Sequence, residues 1–402
     1  MDKPSALALL RKKLGSQVDS SEIVELAAVL EYMPLAIVQA AAYISQRLPR
    51  YSVARYLDKY KKSERKRTSL VNYDKGQLRR DWEARNSIIV TWQISFEHIR
   101  QTRRSATDLL SLMSFFDRQG IPEEVLRDQG KQEDSNSNQQ GKKAEDVGID
   151  EDDDRSQSSV SDESEDDAFE DDVVALRSFC FISDETDSTT FEMHALVQLA
   201  TRTWLAANGE LERWKQQFVS SLSAAFPTGE YENWAVCQKL FVHAKMAVAQ
   251  KPEDKSSLVE WATLLYRAAW YAWQRGNAVD SERLALESMK AQQKVLGEEH
   301  RDTLSSMGMV GLARSLGGRW REAAEIEVKK MNASKTVLGP DHPNTLSSMA
   351  NLASTYWNQG QWKDAEKLDV EVLETSKTKL GADHPSTPVS YTHLTLPTIC
   401  SV

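Results

Sequence analysis

The amino-acid sequence points to a mainly α-helical chain that ends in a helical-repeat solenoid, and three observations carry that reading. A 42-residue period runs through the C-terminal half, apolar residues recur at three- and four-residue steps over most of the rest, and strand-like stretches are confined to residues 179–193. With 402 residues, 40% of them hydrophobic, the chain can bury a core for two or three domains. A mean hydropathy of -0.53 argues against a membrane protein. So does the lack of any apolar run near the roughly 18 residues a span needs. No basic-then-apolar leader opens the chain, which argues against secretion. Cys180, Cys237 and Cys400 are far apart and form no CxxC, which excludes a disulfide framework and a four-ligand zinc site. A reducing, cytoplasmic setting is expected, with a nuclear one left open.

The net charge of -10 is concentrated in one segment. Residues 128–172 hold 18 acidic and 4 basic groups, a net of -14, so the remainder sums to +4. This stretch has almost no large apolar side chains and is expected to be a disordered insertion, because it cannot offset its own ordering entropy. Ser159 and Ser164 each precede an aspartate by three residues, an acidophilic-kinase pattern. Residues 47–80 are the opposite, with 12 basic groups and 3 acidic ones. The run fits a solvated helical face, a nucleic-acid contact or a nuclear import signal, and the first is the expected reading.

The repeats are explicit. LGEEHRDTL starts at Leu296, LGPDHPNTL at Leu338 and LGADHPST at Leu380, and the same 42-residue step links Gly276, Gly318 and Gly360, as well as Ala269, Gly311 and Ala353. Within one unit, Leu346, Met349, Leu352, Ala353 and Tyr356 share a helical face up to the break at Gly360. Ala365, Leu368, Val372 and Leu373 then define a second helix. The small residues Ala269, Gly311 and Ala353 let paired helices approach closely. His342-Pro343 is expected to set the turn into the next helix. The units resemble tetratricopeptide repeats, with linkers similar to those of the kinesin-light-chain subtype, over 257–388. The first unit is degenerate, carrying Trp261, Trp270 and Trp273, as a terminal repeat packed on upstream structure would. The resemblance implies a concave groove for a protein or peptide. Asn351 stands where the family often holds the ligand backbone, and Ser347, Ser354 and Asn358 share its face. Met309 and Arg267 break the corresponding ladder one and two repeats earlier.

In the N-terminal half, Asp19 and Glu22 suggest a capped helix with Ile23, Leu26, Ala27 and Leu30 inward. Pro34 then opens a second helix, expected to bury Leu35, Val38, Ala41 and Ala42. The stretch YMPLAIVQAAAYI resembles the GLPLAL-type helix of NB-ARC modules, the nucleotide-switch domain of NOD-like (STAND) receptors, with Tyr32 in place of the family's Gly. There the proline abuts adenine, which makes Pro34 a candidate nucleotide contact. Helices are expected over 86–99, over 105–116 with Ser105 as N-cap, and from Pro122. A two-stranded hairpin at FCFIS and TTFEM should follow, with a last helix opened by His194. This order resembles the winged-helix part of the same modules. MHALVQLAT matches their MHD motif, in which the histidine contacts the terminal phosphate, so His194 is the second candidate cofactor residue. Ala195 replaces the family's Asp.

No GxxxxGK[ST] occurs, and Gly130-Lys131 and Gly141-Lys142 lie in or beside the acidic insertion. No HExxH, GxSxG or Cys/His nucleophile pattern is present. The expected organisation is therefore a helical NB-ARC remnant (1–80), a winged-helix domain (81–127 and 173–207) split by the acidic insertion (128–172), linking helices (208–256) and tetratricopeptide repeats (257–388). The tail 389–402 abandons the pattern and resembles translated adapter sequence. The expected role is a fungal-type signalling scaffold without catalytic or metal residues, oligomerisation left open. ADP or ATP would bind only in an intact parent. The alternatives are a nucleotide-switch ATPase whose P-loop half lies elsewhere, and nucleic-acid binding through the winged helix and the basic run.

Overall fold

The computed structural model describes residues 1–15, 20–67, 79–127, 158–184 and 189–379. They divide into two compact units at Ser221/Leu222. The proposed capping residue Asp19, the repeat linker beginning at Leu380 and the tail 389–402 lie outside the described residues. Among the described residues, no helix is long and apolar enough to cross a membrane.

The first unit opens with α1 (Lys3–Leu14), α2 (Ser20–Val29) and α3 (Pro34–Ser45). Ile23, Leu26, Ala27 and Leu30 are buried as their spacing requires. The inward face of α3 differs from the expected one: Ala36, Ile37, Ala40, Ala41, Tyr43 and Ile44 are buried, whereas Leu35, Val38 and Ala42 are only partly so. Nearly every residue of this helix is apolar, so periodicity cannot choose a face. Contacts with α1, α4 (Val53–Arg67) and α5 (Arg79–Thr102) choose it instead.

Next come α6 (Arg104–Met113), strand β1 (Ile121–Pro122), α7 (Glu123–Arg127), α8 (Ser158–Ser178), β2 (Ile182–Asp184), β3 (Thr190–Met193) and α9 (Ala195–Ala207). The wing has three strands rather than two, in the antiparallel order β1-β3-β2, because Ile121-Pro122 pairs with Phe191 and Thr190 before α7 begins. Ser105 is not the N-cap of α6. Arg103 holds that position, and the Ser105 hydroxyl donates instead to buried Asp172 at 2.8 Å.

That carboxylate also corrects the acidic insertion. Residues 128–157 lie outside the described ones, but 158–172 belong to α8. Cations from elsewhere in the unit supply what the segment lacks. Arg127 binds Glu123, Asp166 and Glu170 at 2.6, 2.7 and 2.5 Å, and Arg103 reaches Asp171 at 3.0 Å and also Asp172. Val173 and Leu176 then enter the core.

The division between the units falls inside α10 (Leu211–Ala225). In the second unit, α11 (Trp234–Ala247) precedes three helix pairs: α12 (Lys255–Gln274) with α13 (Ala278–Leu296), α14 (Arg301–Leu316) with α15 (Trp320–Leu338), and α16 (Pro343–Asn358) with α17 (Trp362–Lys379). Each helix packs on the next, and α14 also touches α12 and α16, as in a solenoid. The degenerate first unit is a complete pair. Trp261 is fully buried and donates its indole N–H to the Ala247 carbonyl of α11 at 2.6 Å, so the oversized side chain closes the solenoid's end.

The repeated linker has one geometry wherever it is described. His300 and His342 are extended N-caps whose Nδ1 accepts from the backbone N–H two residues on, at 3.2 and 3.1 Å. Thr303 and Thr345 each donate to the carbonyl of the linker glycine at 2.8 Å. Those glycines, Gly297 and Gly339, sit at φ 94°, where other residues are strained. Close approach is equally specific at Gly311, where a Cβ would lie 2.8 Å from Glu327 Cγ of α15.

Candidate functional site

The solenoid holds two adjoining cavities. One, of about 230 Å³, is walled by Tyr266 of α12, by Arg301, Ser305, Gly308 and Leu312 of α14, by Lys330 and Ser334 of α15, and by Asn344 and Ser347 of α16. The other, of about 220 Å³, shares Tyr266 and Ser305 and adds Thr263, Arg267, Trp270 and Asp302. First helices of consecutive pairs, the surface expected to take a ligand, line both, joined by second helix α15 in one and by Gln292 of second helix α13 in the other.

Lys330 is the least expected of these residues. Positions one repeat before and after are Ser288 and Val372, both buried, so a lysine stands where the repeat uses a small or apolar side chain. Its ammonium lies against Gly308, and a Cβ there would come within 2.5 Å of Nζ. Burial pushes its pKa down, partly countered by Glu327 one turn earlier. Glu327 is itself buried, 3% exposed, and its pKa is raised to about 7, chiefly by desolvation. A hydrogen bond from Thr355 and the charge of Lys330 work against that rise. Register of the 42-residue period exposes Lys330 as an exception, but nothing in the sequence said that Gly308 would make room for it.

The sequence-derived groove residues are only partly brought together. Ser347 lines the larger cavity. Asn351 and Ser354 are half-buried on the same helix, and exposed Asn358 donates to the Ser354 carbonyl at 3.0 Å. The earlier rungs are taken up by structure: Arg267 donates to the carbonyls of Ser223 and Phe226 at 3.1 and 3.2 Å, and Met309 is buried beside Ser281.

The candidate nucleotide contacts lie in the first unit. Pro34 is exposed at the first position of α3. His194 is exposed and caps α9, its Nδ1 accepting from Leu196 N–H at 3.1 Å. Nδ1 is thus unprotonated, leaving the hydrogen of the neutral ring on Nε2. Desolvation, and then Arg118, lowers its pKa and favours that neutral form. His300 and His342 cap in the same way, so the capping role alone accounts for a histidine here. Among the described residues, no group of three or more His, Cys, Asp or Glu is placed to hold a metal ion.

An α-solenoid of paired helices with a lined inner face is the architecture of tetratricopeptide repeats, and the tetratricopeptide-repeat model matches residues 261–302 and 345–386. A second model, a domain of unknown function (DUF7779), matches residues 97–209. The chain is 29% identical over 306 residues, 75% of its length, to a nucleotide-binding leucine-rich repeat (NLR)-like protein of Hyaloscypha variabilis. It spans 27% of that relative. Similar solved structures include the nearly identical TPR-like repeats of a candidate kinesin light chain from Podospora anserina, at 18% identity and TM-score 0.30, covering 44% of this chain and 92% of that one. Another is a STAND protein with a tetratricopeptide repeat sensor from Pyrococcus horikoshii, at 11% identity and TM-score 0.32, covering 99% of this chain and 57% of that one. Two stretches of the chain are thus similar to tetratricopeptide repeats, and three quarters of it is similar to an NLR-like protein.

Proposed function

We propose that the chain is the repeat-bearing interaction region of an NB-ARC-type nucleotide-switch receptor, and that its groove binds a protein partner through a peptide segment carrying an acidic side chain. The observation that carries this is the larger cavity: Arg301 and Lys330 supply positive charge, while Asn344 and Ser347 supply hydrogen-bonding groups. A carboxylate entering it would meet a desolvated ammonium, where charge-assisted bonds are strongest. Asn351, Ser354 and Asn358 extend the polar surface along α16 and would hold the rest of the peptide.

A peptide-display selection on the full chain tests the reading. Selected peptides should be enriched in Asp and Glu and should lose binding to Lys330→Met and, more weakly, to Asn351→Ala. Selection of neutral peptides, or binding indifferent to both variants, would count against it. In the parent receptor, Pro34 and His194 would complete an ADP site whose phosphate cradle lies outside this chain. ATP turnover by the purified chain is therefore expected to be nil. Turnover that survives purification and His194→Ala would overturn that assignment.

A further inference from the structure

The groove leaves the basic run that starts at Arg47 unused. The end of α3, the following turn and the start of α4 bring Arg47, Arg50 and Arg55 to one cleft of about 390 Å³, with Gln46 and Tyr51. The Arg47 guanidinium lies 3.6 Å from the centre of the Tyr43 ring and 5.7 Å from that of Tyr51, and Arg55 lies 5.2 Å from the latter. Both terminal nitrogens of Arg47 and the Tyr51 hydroxyl are shut off from water without a hydrogen-bond partner. Lys59 adds a further cation beside them, donating to the Tyr43 hydroxyl at 2.8 Å.

The acids near this cluster leave the Arg47 charge unpaired. Asp58 is paired with Lys62 at 2.7 Å, and Glu97, which accepts from Gln93 at 2.9 Å, offsets part of the Lys59 charge but not that of Arg47. His98, whose ring is 5.9 Å from that of Tyr43, has its pKa lowered to about 4 by burial and by the charges of Arg47 and Lys59. A desolvated donor without an acceptor is costly, and so are convergent like charges. An anion in the cleft would relieve both.

We propose that the Arg47–Tyr51–Arg55 cleft is a binding site for a phosphate monoester dianion. A guanidinium fork matches two phosphate oxygens, and Arg55 and Tyr51 offer further donors. Three guanidinium groups around one recess suit a compact double charge better than a single carboxylate. A nucleic-acid backbone would call for cations strung along a track instead of gathered at one point.

Calorimetric titration of the full chain tests this with inorganic phosphate, a phosphoserine peptide and an oligothymidylate lacking terminal phosphate. Phosphate and the phosphopeptide should compete for one site, and phosphate should raise the melting midpoint above that in chloride of equal ionic strength. Phosphate binding as tight as the peptide's identifies a small-molecule phosphate as ligand. Tighter peptide binding identifies a phosphorylated side chain, and either result supports the site. Arg47→Gln should weaken phosphate about tenfold or more. Arg55→Gln, at an exposed residue, should weaken it several-fold with the phosphate-free midpoint unchanged, which separates loss of binding from loss of fold. Phosphate affinity unaltered in Arg55→Gln, a midpoint no higher than in chloride, or oligothymidylate binding that phosphate does not displace would each overturn the proposal.

Discussion

Tyr32 occupies the left-handed region at φ 56°, next to Glu31 at φ 52°. Its N–H bonds the Ala27 carbonyl at 3.1 Å, closing the end of α2 in the manner usually left to glycine. The NB-ARC resemblance places Gly at this position, and the backbone supplies the reason. Since a left-handed non-glycine residue costs roughly 1–2 kcal/mol, Tyr32→Gly should raise stability by about 1 kcal/mol in urea melts, some of the gain being offset by chain entropy. A fall in stability would mean that the tyrosine ring contributes more than the strain costs. Glu327 makes a prediction in the opposite chemical sense. Its pKa of about 7 in the fold exceeds the ordinary carboxylate value, so the native state holds the proton more tightly than the unfolded chain. Its contribution is fully present below about pH 4, is lost as pH rises, and is gone above about pH 7. Glu327→Gln should thus stabilise the repeats at pH 8, by on the order of 1–3 kcal/mol, and change little at pH 5. Lys330 and Tyr356 are the titratable neighbours coupled to it. Equal gains at both pH values would show that desolvation of the carboxylate is not the cause.

At the scale of the element, the repeat helices were the most legible part of the chain. Leu346, Met349, Leu352 and Ala353 are buried on α16, with Ala365 and Val372 on α17, as their spacing required. The sequence-level argument for small residues holds at Gly311, whose space is filled by Glu327 of the paired helix. Ala353, fully buried one repeat on, should behave alike: Ala353→Leu is expected to cost about 1–3 kcal/mol by overpacking, with Asn351→Ala nearly silent in the same thermal melts. The reverse pattern would show the faces of α16 to be misassigned. Helix α3 was legible as an element and illegible as a face, because an almost uniformly apolar helix carries no phase. Ser105 failed for a different reason. A serine has the chemistry to cap, but Asp172, 67 residues away, offers its hydroxyl a charged acceptor and the N-cap position falls to Arg103.

At the scale of the whole molecule, α8 shows how far distant residues reach. If ion pairs from Arg127 and Arg103 hold the acidic start of this helix, hydrogen exchange should find protection from about residue 166 onward, and Arg127→Ala should reduce it there while sparing Leu176. Protection unchanged in that variant would locate the helix's support in its apolar end alone. The repeat period, the paired helices and the linker caps were determined along the chain, because each depends on spacings no longer than one repeat. Tertiary structure decided the buried face of α3, the third strand of the wing and the ordering of α8. It also decided the placing of Lys330 over Gly308 and the convergence of Arg47 and Arg55 on one cleft. Those depend on which charges and surfaces meet after the chain has folded back, and pairwise electrostatics and packing act through space without regard to separation in sequence.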